Sequence, residues 1–428
     1  MYYYKQKGKG VTLGERVRIT GPDHIALRHP GIACSPISYP SADGNCNDII
    51  ASCEGGLYYY RYTGKFNESG SPEYSVPLPV QEDGALLFGG SLPVPTVVDW
   101  DGDGKLDIVS GNSQGLIRFF KNKGSNESPE FDNAVNLKAC GHEIHVQAGY
   151  GEDIQGPLEA RWGYTCPNVI DWNEDGFLDV IFGDARGKNM ILKGVEGPVS
   201  DRLDLEHPLY CYDLDLHGTW RCRPGIAKVG STMYLATLDD DNELHLYSRE
   251  DIYNLRDLGK IRLSNGKTVV ASIAASGGTG RLKVEMTDWD GDGRLDLILG
   301  TCKHHSVMGM NGLPEKYHNK ELVRLKEDEF TMYGRDDVKL LGPVYSGSGP
   351  DVNAAAFILF MKNTGSNEEP VYAEPSIFRF KGEKIKLGQH SIGVCAAMLG
   401  KITNGLPNLF VADERGRFYV LDRNDLTW

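Results

Sequence analysis

The sequence lacks the features that mark membrane proteins and nucleic-acid-binding proteins. Across its 428 residues no apolar run approaches the length that crosses a bilayer, and there is no long amphipathic helical pattern. The formal net charge is −14, from 45 Lys and Arg against 59 Asp and Glu. Binding to phosphate backbones needs clustered Lys and Arg, so this balance excludes nucleic acid as a partner. We expect a soluble monomer with no membrane span.

The cysteine spacing matches neither a redox motif nor a zinc site. The nine Cys residues form no CxxC pair and no zinc spacing. Cys46 and Cys53 could meet across one hairpin, and so could Cys211 and Cys222; the alternative is small buried residues in strands. The start, MYYYKQKGKG, has no apolar signal-peptide core, which predicts either an intracellular protein or a missing leader. There is no nucleophile elbow, P-loop or dinucleotide fingerprint.

What the sequence does contain is a repeat. Three segments, residues 97–111, 169–183 and 286–300, are nearly the same, and each begins with a strand, turns through an acidic loop and continues as a second strand. The first reads Val-Val-Asp-Trp-Asp-Gly-Asp-Gly-Lys-Leu-Asp-Ile-Val-Ser-Gly. A tail repeats as well, in residues 120–131 and 360–372, with a weaker copy in residues 62–74.

Degenerate copies extend this repeat over most of the chain. Aligning the second strands places units at Asp48, Asp107, Asp179, Met233, Asp296 and Asn408, with steps of 59, 72, 54, 63 and 112 residues. The last step hides either a seventh unit or a long insertion. Repeats of about 40–50 residues with four strands each are typical of propellers. The pattern predicts an all-β fold, a single β-propeller of seven four-stranded antiparallel blades. We expect a long inter-blade loop near residues 132–166, an insertion near residues 302–353, and a closing blade built from both chain ends.

The acidic loops carry the strongest local signal. Carboxylates at positions 1, 3, 5 and 9, a backbone carbonyl at position 7 and Gly at the turn are the oxygen pattern of calcium loops. A solvated acidic turn is the alternative, but it does not explain the spacing. The predicted ligands are Asp99, Asp101, Asp103, Lys105 and Asp107; Asp171, Asn173, Asp175, Phe177 and Asp179; and Asp288, Asp290, Asp292, Arg294 and Asp296. Lys105, Phe177 and Arg294 would contribute their carbonyls, and Ca²⁺ would hold each hairpin together.

These loops resemble those of FG-GAP/VCBS-type propellers, the repeats also found in integrin α-subunits and in several carbohydrate-active enzymes. The resemblance covers roughly residues 40 to 425. It implies the propeller fold and calcium, and it implies an activity only weakly, because a fold does not determine a function. The copies near Asp48, Met233 and Asn408 lack the full aspartate set, which puts calcium there in doubt. Extracellular calcium would fill such loops, which favours export.

Two stretches outside the repeat are candidates for chemistry, because functional residues favour loops on rigid scaffolds. The first supplies candidate catalytic residues His142, His145, Tyr150, Arg161 and Tyr164, and candidate substrate-binding residues Gln155, Glu159 and Trp162. The second begins at Lys303, His304 and His305, which could approach the same ligand. The alternative is structural: solvent-facing His residues, a Glu159–Arg161 ion pair, and Trp162 and Tyr164 in the core.

Two functions from different classes fit these stretches. One is a polysaccharide lyase that cleaves a uronate-containing glycan by β-elimination, by analogy with lyases built on similar propellers. Arg161 would neutralise the uronate carboxylate, a His or Tyr would remove the α-proton, and Trp162 would stack on a sugar. The other is a non-catalytic propeller that binds a glycan or a protein through the same rim. Convergence of His142, His145, Arg161 and Tyr164 in one cleft would favour the lyase.

Overall fold

The structure is a computed structural model, and the regular structure of its described residues is almost entirely β-strand. The structure describes residues 1–8, 12–22, 24, 26–27, 29, 35–41, 44, 47–53, 56–80, 88–149, 160–219, 221–241, 243–269, 281–301, 304–305, 344–345, 356–385, 392–414 and 416–428. The described helical structure is one 3₁₀ turn at Arg423–Asp425. None of the described helical structure is long and apolar enough to cross a membrane.

The strands are short, and most are bounded by Gly or acidic turns. In the first third of the chain they are β1 (Tyr2–Gln6), β2 (Leu13–Arg18), β3 (Ser35–Tyr39), β4 (Asp48–Cys53), β5 (Gly56–Tyr60), β6 (Tyr62–Phe66), β7 (Pro72–Tyr74), β8 (Leu78–Pro79), β9 (Val94–Val98), β10 (Asp107–Gly111), β11 (Ile117–Phe120), β12 (Val135–Asn136), β13 (Lys138–Ala139) and β14 (His142–Glu143). The next are β15 (Cys166–Ile170), β16 (Asp179–Gly183), β17 (Asn189–Gly194), β18 (Asp201–Pro208), β19 (Tyr210–Cys211), β20 (Leu214–Asp215), β21 (Gly225–Val229), β22 (Thr232–Leu238), β23 (Leu244–Arg249), β24 (Asn254–Lys260) and β25 (Arg262–Leu263). The last are β26 (Lys283–Thr287), β27 (Asp296–Gly300), β28 (His304–His305), β29 (Val344–Tyr345), β30 (Ile358–Met361), β31 (Val371–Tyr372), β32 (Ser376–Ile377), β33 (Arg379–Phe380), β34 (Glu383–Lys384), β35 (Gly393–Ala397), β36 (Asn408–Ala412), β37 (Phe418–Leu421) and β38 (Leu426–Thr427).

Six sheets share a core of antiparallel strands, in which the first strand pairs with the second and the second with the third. In two of them a hairpin, β13–β14 or β19–β20, adds in parallel to the outermost of these strands. We call β3, β4, β5 and β8 the N-terminal sheet. The other five sheets are blade 1 (β9–β12), blade 2 (β15–β18), blade 3 (β21–β24), blade 4 (β26, β27, β30 and β32) and blade 5 (β35–β37). All six second-strand positions aligned in the sequence lie in second strands of these sheets, so the repeat alignment is confirmed.

The first strands of blades 1 to 5 contact one another in cyclic order, β9 to β15, β21, β26, β35 and back to β9. This is the ring of a β-propeller, and the predicted all-β propeller is confirmed. The predicted count of seven blades is not confirmed, because these five first strands close the described ring and β3 of the N-terminal sheet is not part of that cycle.

The long last step of the repeat is explained within blade 4. Its second strand β27 pairs with β30, although 57 residues, 301–357, lie between the end of β27 and the start of β30. Gly300 lies opposite Ile358 in this pairing. The extra length is therefore an insertion between the second and third strands of one sheet. The described closing sheet, β35–β37, is built from the C-terminal part of the chain alone, which differs from the expected mixture of both ends.

Burial explains why the second strands are nearly continuous apolar runs. Every residue of β10, β16, β27 and β36 is buried, since both faces of a blade pack against neighbouring blades. The cluster between blades 1 and 2, for example, joins Val109 and Phe119 to Val180 and Phe182. Each such side chain contributes roughly 1.5–3 kcal/mol when fully buried.

In two of the three acidic loops the Trp indole hydrogen-bonds to the next blade, whereas the buried Trp289 Nε1 has no hydrogen-bond partner. Trp100 Nε1 donates to the carbonyl of Val199 at 2.9 Å, and Trp172 Nε1 donates to the carbonyl of Ile252 at 3.0 Å. An Arg of the following blade returns the contact: Arg202 donates to the Trp100 carbonyl at 2.8 Å. Arg249 and Arg423 do the same for Trp172 and Trp289. The repeat therefore encodes the contact between blades as well as the hairpin.

An ion pair occupies the axis of the ring. Arg223, 1% exposed, binds Glu285 Oε2 through Nη1 at 2.6 Å. The same guanidinium donates to the Pro167 carbonyl at 3.1 Å and to Thr96 Oγ1 at 3.1 Å. Glu285 Oε1 also accepts the backbone N–H of Ala396 at 3.2 Å. One ion pair thus links residues from all five first strands or the residues just before them.

The cysteines that the structure describes are not paired. Cys211 and Cys222 are both free thiols, and Cys222 is buried, so the alternative of small buried residues holds for Cys222. Cys46 and the Cys53 side chain lie outside the described residues. Burial raises the pKa of the Cys222 thiol, so it remains protonated.

Candidate functional site

The first aspartate of each acidic loop folds the loop around itself. Asp99 accepts the backbone N–H of Gly102 through Oδ1 and that of Gly104 through Oδ2, both at 2.9 Å. Asp288 accepts Gly291 and Gly293 in the same way, at 2.8 and 2.9 Å. Gly102 and Gly104 have φ of 79° and 86°, a backbone region that Gly adopts without strain. The spacing of Asp and Gly therefore produces the predicted tight turn.

The ninth-position aspartate is a buried acceptor that joins two strands. Asp107 accepts the backbone N–H of Trp100 at 3.1 Å and that of Asn122 at 2.8 Å. Burial raises the pKa of the equivalent Asp179 and Asp296 to about 6. In the degenerate unit of blade 5, Asn408 accepts the N–H of Arg423 at 2.8 Å in the same place. Because this acceptor joins two strands, the side-chain oxygen of Asn408 is present in blade 5 although the other acidic residues of the loop are absent.

In two of the three loops the carboxylates converge. Oxygens of Asp99, Asp101 and Asp107 lie within 4.8 Å of one another, and so do oxygens of Asp288, Asp290 and Asp296. Asp290 Oδ1 is buried and has no hydrogen-bond partner, so it is available to a cation. These donor sets are all oxygen, as hard divalent cations prefer. Both clusters could hold a metal ion, and the assignment to calcium stays a prediction.

The remaining predicted ligands differ between the loops. Asp103 and Asp292 point their carboxylates at lysine ammonium groups, at 2.8 and 2.9 Å. The contact with Lys121 lowers the pKa of the Asp103 carboxyl. In the middle loop Asn173 Nδ2 donates to Asp175 Oδ2 at 2.9 Å, an arrangement with one fewer negative charge. The carbonyl roles of Lys105, Phe177 and Arg294, and the ligand role of Asp171, stay predictions.

The tail repeat braces the acidic loops. Asn126 Oδ1 accepts the N–H of Leu106 at 2.7 Å, and its Nδ2 donates to the carbonyl of Gly104 at 3.3 Å. Asn367 makes the same pair of bonds to the loop of blade 4, at 2.7 Å to Leu295 and 3.0 Å to Gly293. Loop and tail therefore form one unit at the end of the ring where the first and second strands meet.

The candidate residues of the 142–164 stretch are spread over several elements. His142 lies exposed in β14, a short outer strand, and His145 is exposed and forms a β-bridge with Leu116. Arg161 is exposed at the end of the connection that leads to β15. The hairpin of β13 and β14 has counterparts in β19–β20 and β33–β34, so this part of the stretch belongs to the repeat after all. This placement does not itself test the catalytic roles.

Trp162 and Tyr164 are buried just before β15. They pack with Leu92 and Ala185 in a small apolar cluster. The Arg221 guanidinium lies 3.3 Å from the centre of the Tyr164 ring. Their burial matches the structural alternative considered for these two aromatic residues. Tyr150, Gln155, Glu159 and Lys303 lie outside the described residues, and of His304 and His305 only the backbone, in β28, is described.

Basic residues lie where two successive first strands begin, at the end of the ring opposite the acidic loops, and no sequence-based prediction named them. Arg221 and Arg281, each 6% exposed, lie just before β21 and β26. Lys283 is 2% exposed, and its Nζ donates to the carbonyls of Arg221 and Arg281 at 2.7 and 3.1 Å. Beneath them Arg223 is paired with Glu285. We call Arg221, Arg223, Arg281 and Lys283 the basic mouth. The signal in the sequence was two basic residues, two apart, at or just before the start of an inner strand in two successive units.

The backbone at the mouth is held in an unusual conformation. Four residues that precede first strands, Leu92, Tyr164, Arg221 and Arg281, have φ of 53°, 46°, 61° and 64°. A left-handed backbone costs a residue other than Gly roughly 1–3 kcal/mol, and such residues cluster at functional sites. The same turn recurs in four blades, so it is part of how each first strand begins at the ring mouth.

Comparison with known proteins leaves the family open. No family model matches the chain, and no curated protein matches it in sequence. Among solved structures, AofleA from Arthrobotrys oligospora is 9% identical, with a TM-score of 0.36 over 92% of this chain and 88% of that chain. The Cellvibrio cellulosa α-L-arabinanase complexed with arabinohexaose is 13% identical, with a TM-score of 0.33 over 79% and 94%. The catalytic domain of a Coprinopsis cinerea GH62 α-L-arabinofuranosidase is 11% identical, with a TM-score of 0.31 over 69% and 92%. At these values the neighbours identify neither a family nor an activity.

Proposed function

We propose that this chain is a carbohydrate-active β-propeller that binds a uronate-containing glycan at the basic mouth. The observation that carries the proposal is the placement of Arg221, Arg281 and Lys283 at one end of the ring, next to the Arg223–Glu285 ion pair, in a chain whose net charge is −14. A uronate carboxylate suits such a place, because arginine forms paired hydrogen bonds with carboxylates. The acidic loops at the other end would hold Ca²⁺ as structural ions. Arg161, exposed on the approach to β15, would extend the binding surface.

A binding experiment tests this proposal. Chelator-free protein is titrated with oligosaccharides of galacturonate, glucuronate and alginate, and with neutral xylan and arabinan fragments. Acidic fragments are expected to bind and neutral ones not. Arg281→Met should weaken binding at least tenfold, while Arg256→Met, an exposed arginine of outer strand β24, should leave it unchanged. Equal binding of neutral and acidic fragments, or equal affinity of both variants, would refute the role of the basic mouth.

Cleavage by β-elimination is a second candidate, favoured by the contact between Tyr164 and Arg221. The reaction needs a cation to neutralise the uronate carboxylate, a base for the α-proton and an acid for the leaving oxygen. Arg221 beside the Tyr164 phenol combines a cation with a group that can exchange a proton. His142 and His145 would have to approach from outer elements. Formation of unsaturated uronate, read by its ultraviolet absorbance, distinguishes cleavage from binding alone.

The two candidates make different predictions for one variant. Tyr164→Phe keeps the ring on Arg221 and removes the hydroxyl, so a lyase should lose turnover while binding stays within about twofold. If the wild-type protein binds acidic fragments and produces no unsaturated ends on any of them, the protein is a binding propeller.

A further inference from the structure

Two of the acidic loops contain a lysine from a neighbouring strand. Lys121 follows β11, and its Nζ lies 2.8 Å from Asp103 and also contacts Asp101. Lys362 follows β30 at the equivalent place in blade 4, 2.9 Å from Asp292 and in contact with Asp290. The repeat therefore places an ammonium group between the carboxylates of positions 3 and 5 in both complete loops.

These carboxylates are the ones that a metal ion would need. Asp101 belongs to one converging cluster and Asp290 to the other. Positions 3 and 5 both supply ligand oxygens in loops of this type. The side chains are partly exposed, at 37% for Lys121 and 38% for Lys362, and their flexible stems allow the ammonium groups to move into solvent. A cation that enters the loop must share these oxygens with the lysine or displace it.

We propose that Lys121 and Lys362 are resident counter-ions that compete with Ca²⁺ and set the affinity of the two loops; this rests on the proposed metal-binding role of the loops. Without metal, each lysine offsets part of the repulsion among four carboxylates and keeps the loop folded. With metal, it opposes binding. The middle loop is built differently: Lys193 lies 3.2 Å from Asp175 alone, and Asn173 replaces one carboxylate. It has less negative charge and less competition.

The size of the effect follows from Coulomb's law. A unit charge about 4 Å from a divalent ion changes its binding constant by about tenfold or more even in a water-like dielectric. Removing the ammonium while keeping the length of the side chain should therefore tighten calcium binding at that loop by about tenfold. The charge-retaining change Lys→Arg should leave the affinity within about threefold.

Calorimetric titration of the chelator-treated full chain with CaCl₂ tests the proposal. The variants are Lys121→Met and Lys362→Met, singly and together. The matched control is Lys123→Met with Lys381→Met, two exposed lysines whose partners are Asp132 and Asp425, outside the acidic loops. Tighter binding in the first set and wild-type affinity in the control would support competition. Wild-type affinity in both sets would overturn it, even if calcium binds.

Thermal unfolding supplies a second readout that separates this proposal from the one on which it rests. In chelator, Lys121→Met with Lys362→Met should melt below the control variant, and calcium should raise its Tm by more. Calcium binding that is equal in all variants refutes only the competition. Absence of calcium binding in the wild type and in every variant refutes the metal role of the loops together with the competition.

Discussion

At the scale of single residues, the strongest constraint is the ion pair on the axis. The Arg223 guanidinium, in a side chain that is 1% exposed, makes its polar contacts with Glu285, Thr96 and backbone carbonyls. Burying such a pair contributes little net stability compared with an apolar pair, but breaking it leaves a buried charge without compensation. The pair therefore specifies how the five first strands meet more than it adds to stability.

Replacing Arg223 with Met should lower the free energy of unfolding by about 3–5 kcal/mol, because the Glu285 carboxylate is then left at the axis without its partner. Urea unfolding followed by tryptophan fluorescence measures the change. The double variant Arg223→Met with Glu285→Met is the control and should recover most of the loss. A single variant as stable as the double variant would show that the carboxylate is accommodated without the guanidinium.

His29 should make stability depend on pH. Its Nδ1 lies 2.5 Å from the Tyr60 hydroxyl oxygen, and burial lowers its pKa to about 4. The unfolded chain protonates this His near pH 6.5, so the folded state binds fewer protons below that value. The contribution of His29 to the free energy of unfolding is fully present above pH 6.5. It decreases as the pH falls towards 4, by up to about 3 kcal/mol.

The measurement is the free energy of unfolding of the wild type and of His29→Gln at pH 7, 6, 5 and 4. The difference between the two proteins should shrink steadily across this range, since Gln does not titrate. A constant difference at all four pH values would mean that His29 keeps an ordinary pKa in the folded protein.

At the scale of elements, an Asn of the tail repeat hydrogen-bonds to the acidic loop in blades 1 and 4, although the two segments are distant in sequence. Replacing Asn367 with Ala removes two hydrogen bonds to the blade 4 loop and leaves the Leu295 N–H without its acceptor. We expect a loss of about 1–3 kcal/mol, together with weaker calcium binding because the loop is less organised. The exposed neighbour Glu368→Ala is the control for both urea unfolding and calcium titration. Equal behaviour of the two variants would show that the brace is dispensable.

The insertion of blade 4 should be removable without loss of the fold. Thr301 and Phe357 close its base, with the Thr301 N–H donating to the Phe357 carbonyl at 2.9 Å and the Phe357 N–H donating to Thr301 Oγ1 at 2.9 Å. Residues 303–355 therefore leave and re-enter at one closed hairpin. Replacing them with Asn-Gly, the preferred two-residue hairpin turn, should give a protein whose Tm stays within a few degrees of wild type. Failure of this shortened chain to fold would assign the segment a structural role in the ring.

At the scale of the whole molecule, the ring separates two charge environments. The acidic loops lie where first and second strands meet, and the basic mouth lies at the other end of the first strands. An ion bound only by the folded state stabilises it by mass action. Chelation should therefore lower the Tm of the wild type, and added calcium should restore it, as differential scanning calorimetry would measure. An unchanged Tm on chelation would refute a structural role for the ion.

Local chemistry made the hairpins, their recurrence and the acidic loops predictable from the sequence alone. Asp at position 1 must accept the turn's N–H groups, Gly must supply positive φ, and two apolar strands must flank the turn, so the hairpins and their six-fold recurrence were readable. The same reasoning placed the carboxylates of two of the three converging clusters among the described residues, but not those of Asp239, Asp241 and Glu243. It did not reveal that the Trp and Asn residues of the repeat join blades and tails, because those partners are distant in sequence.

Only the tertiary structure decided the closure of the ring and the location of the basic mouth. Ring closure depends on which first strands touch, and a repeat length near 60 residues cannot separate a blade from a blade with an insertion. Arg223 and Glu285 are 62 residues apart, and Lys283 meets the Arg221 carbonyl across the same distance. Contacts of this kind arise from packing between blades, where burial and charge pairing act on side chains that no local pattern brings together.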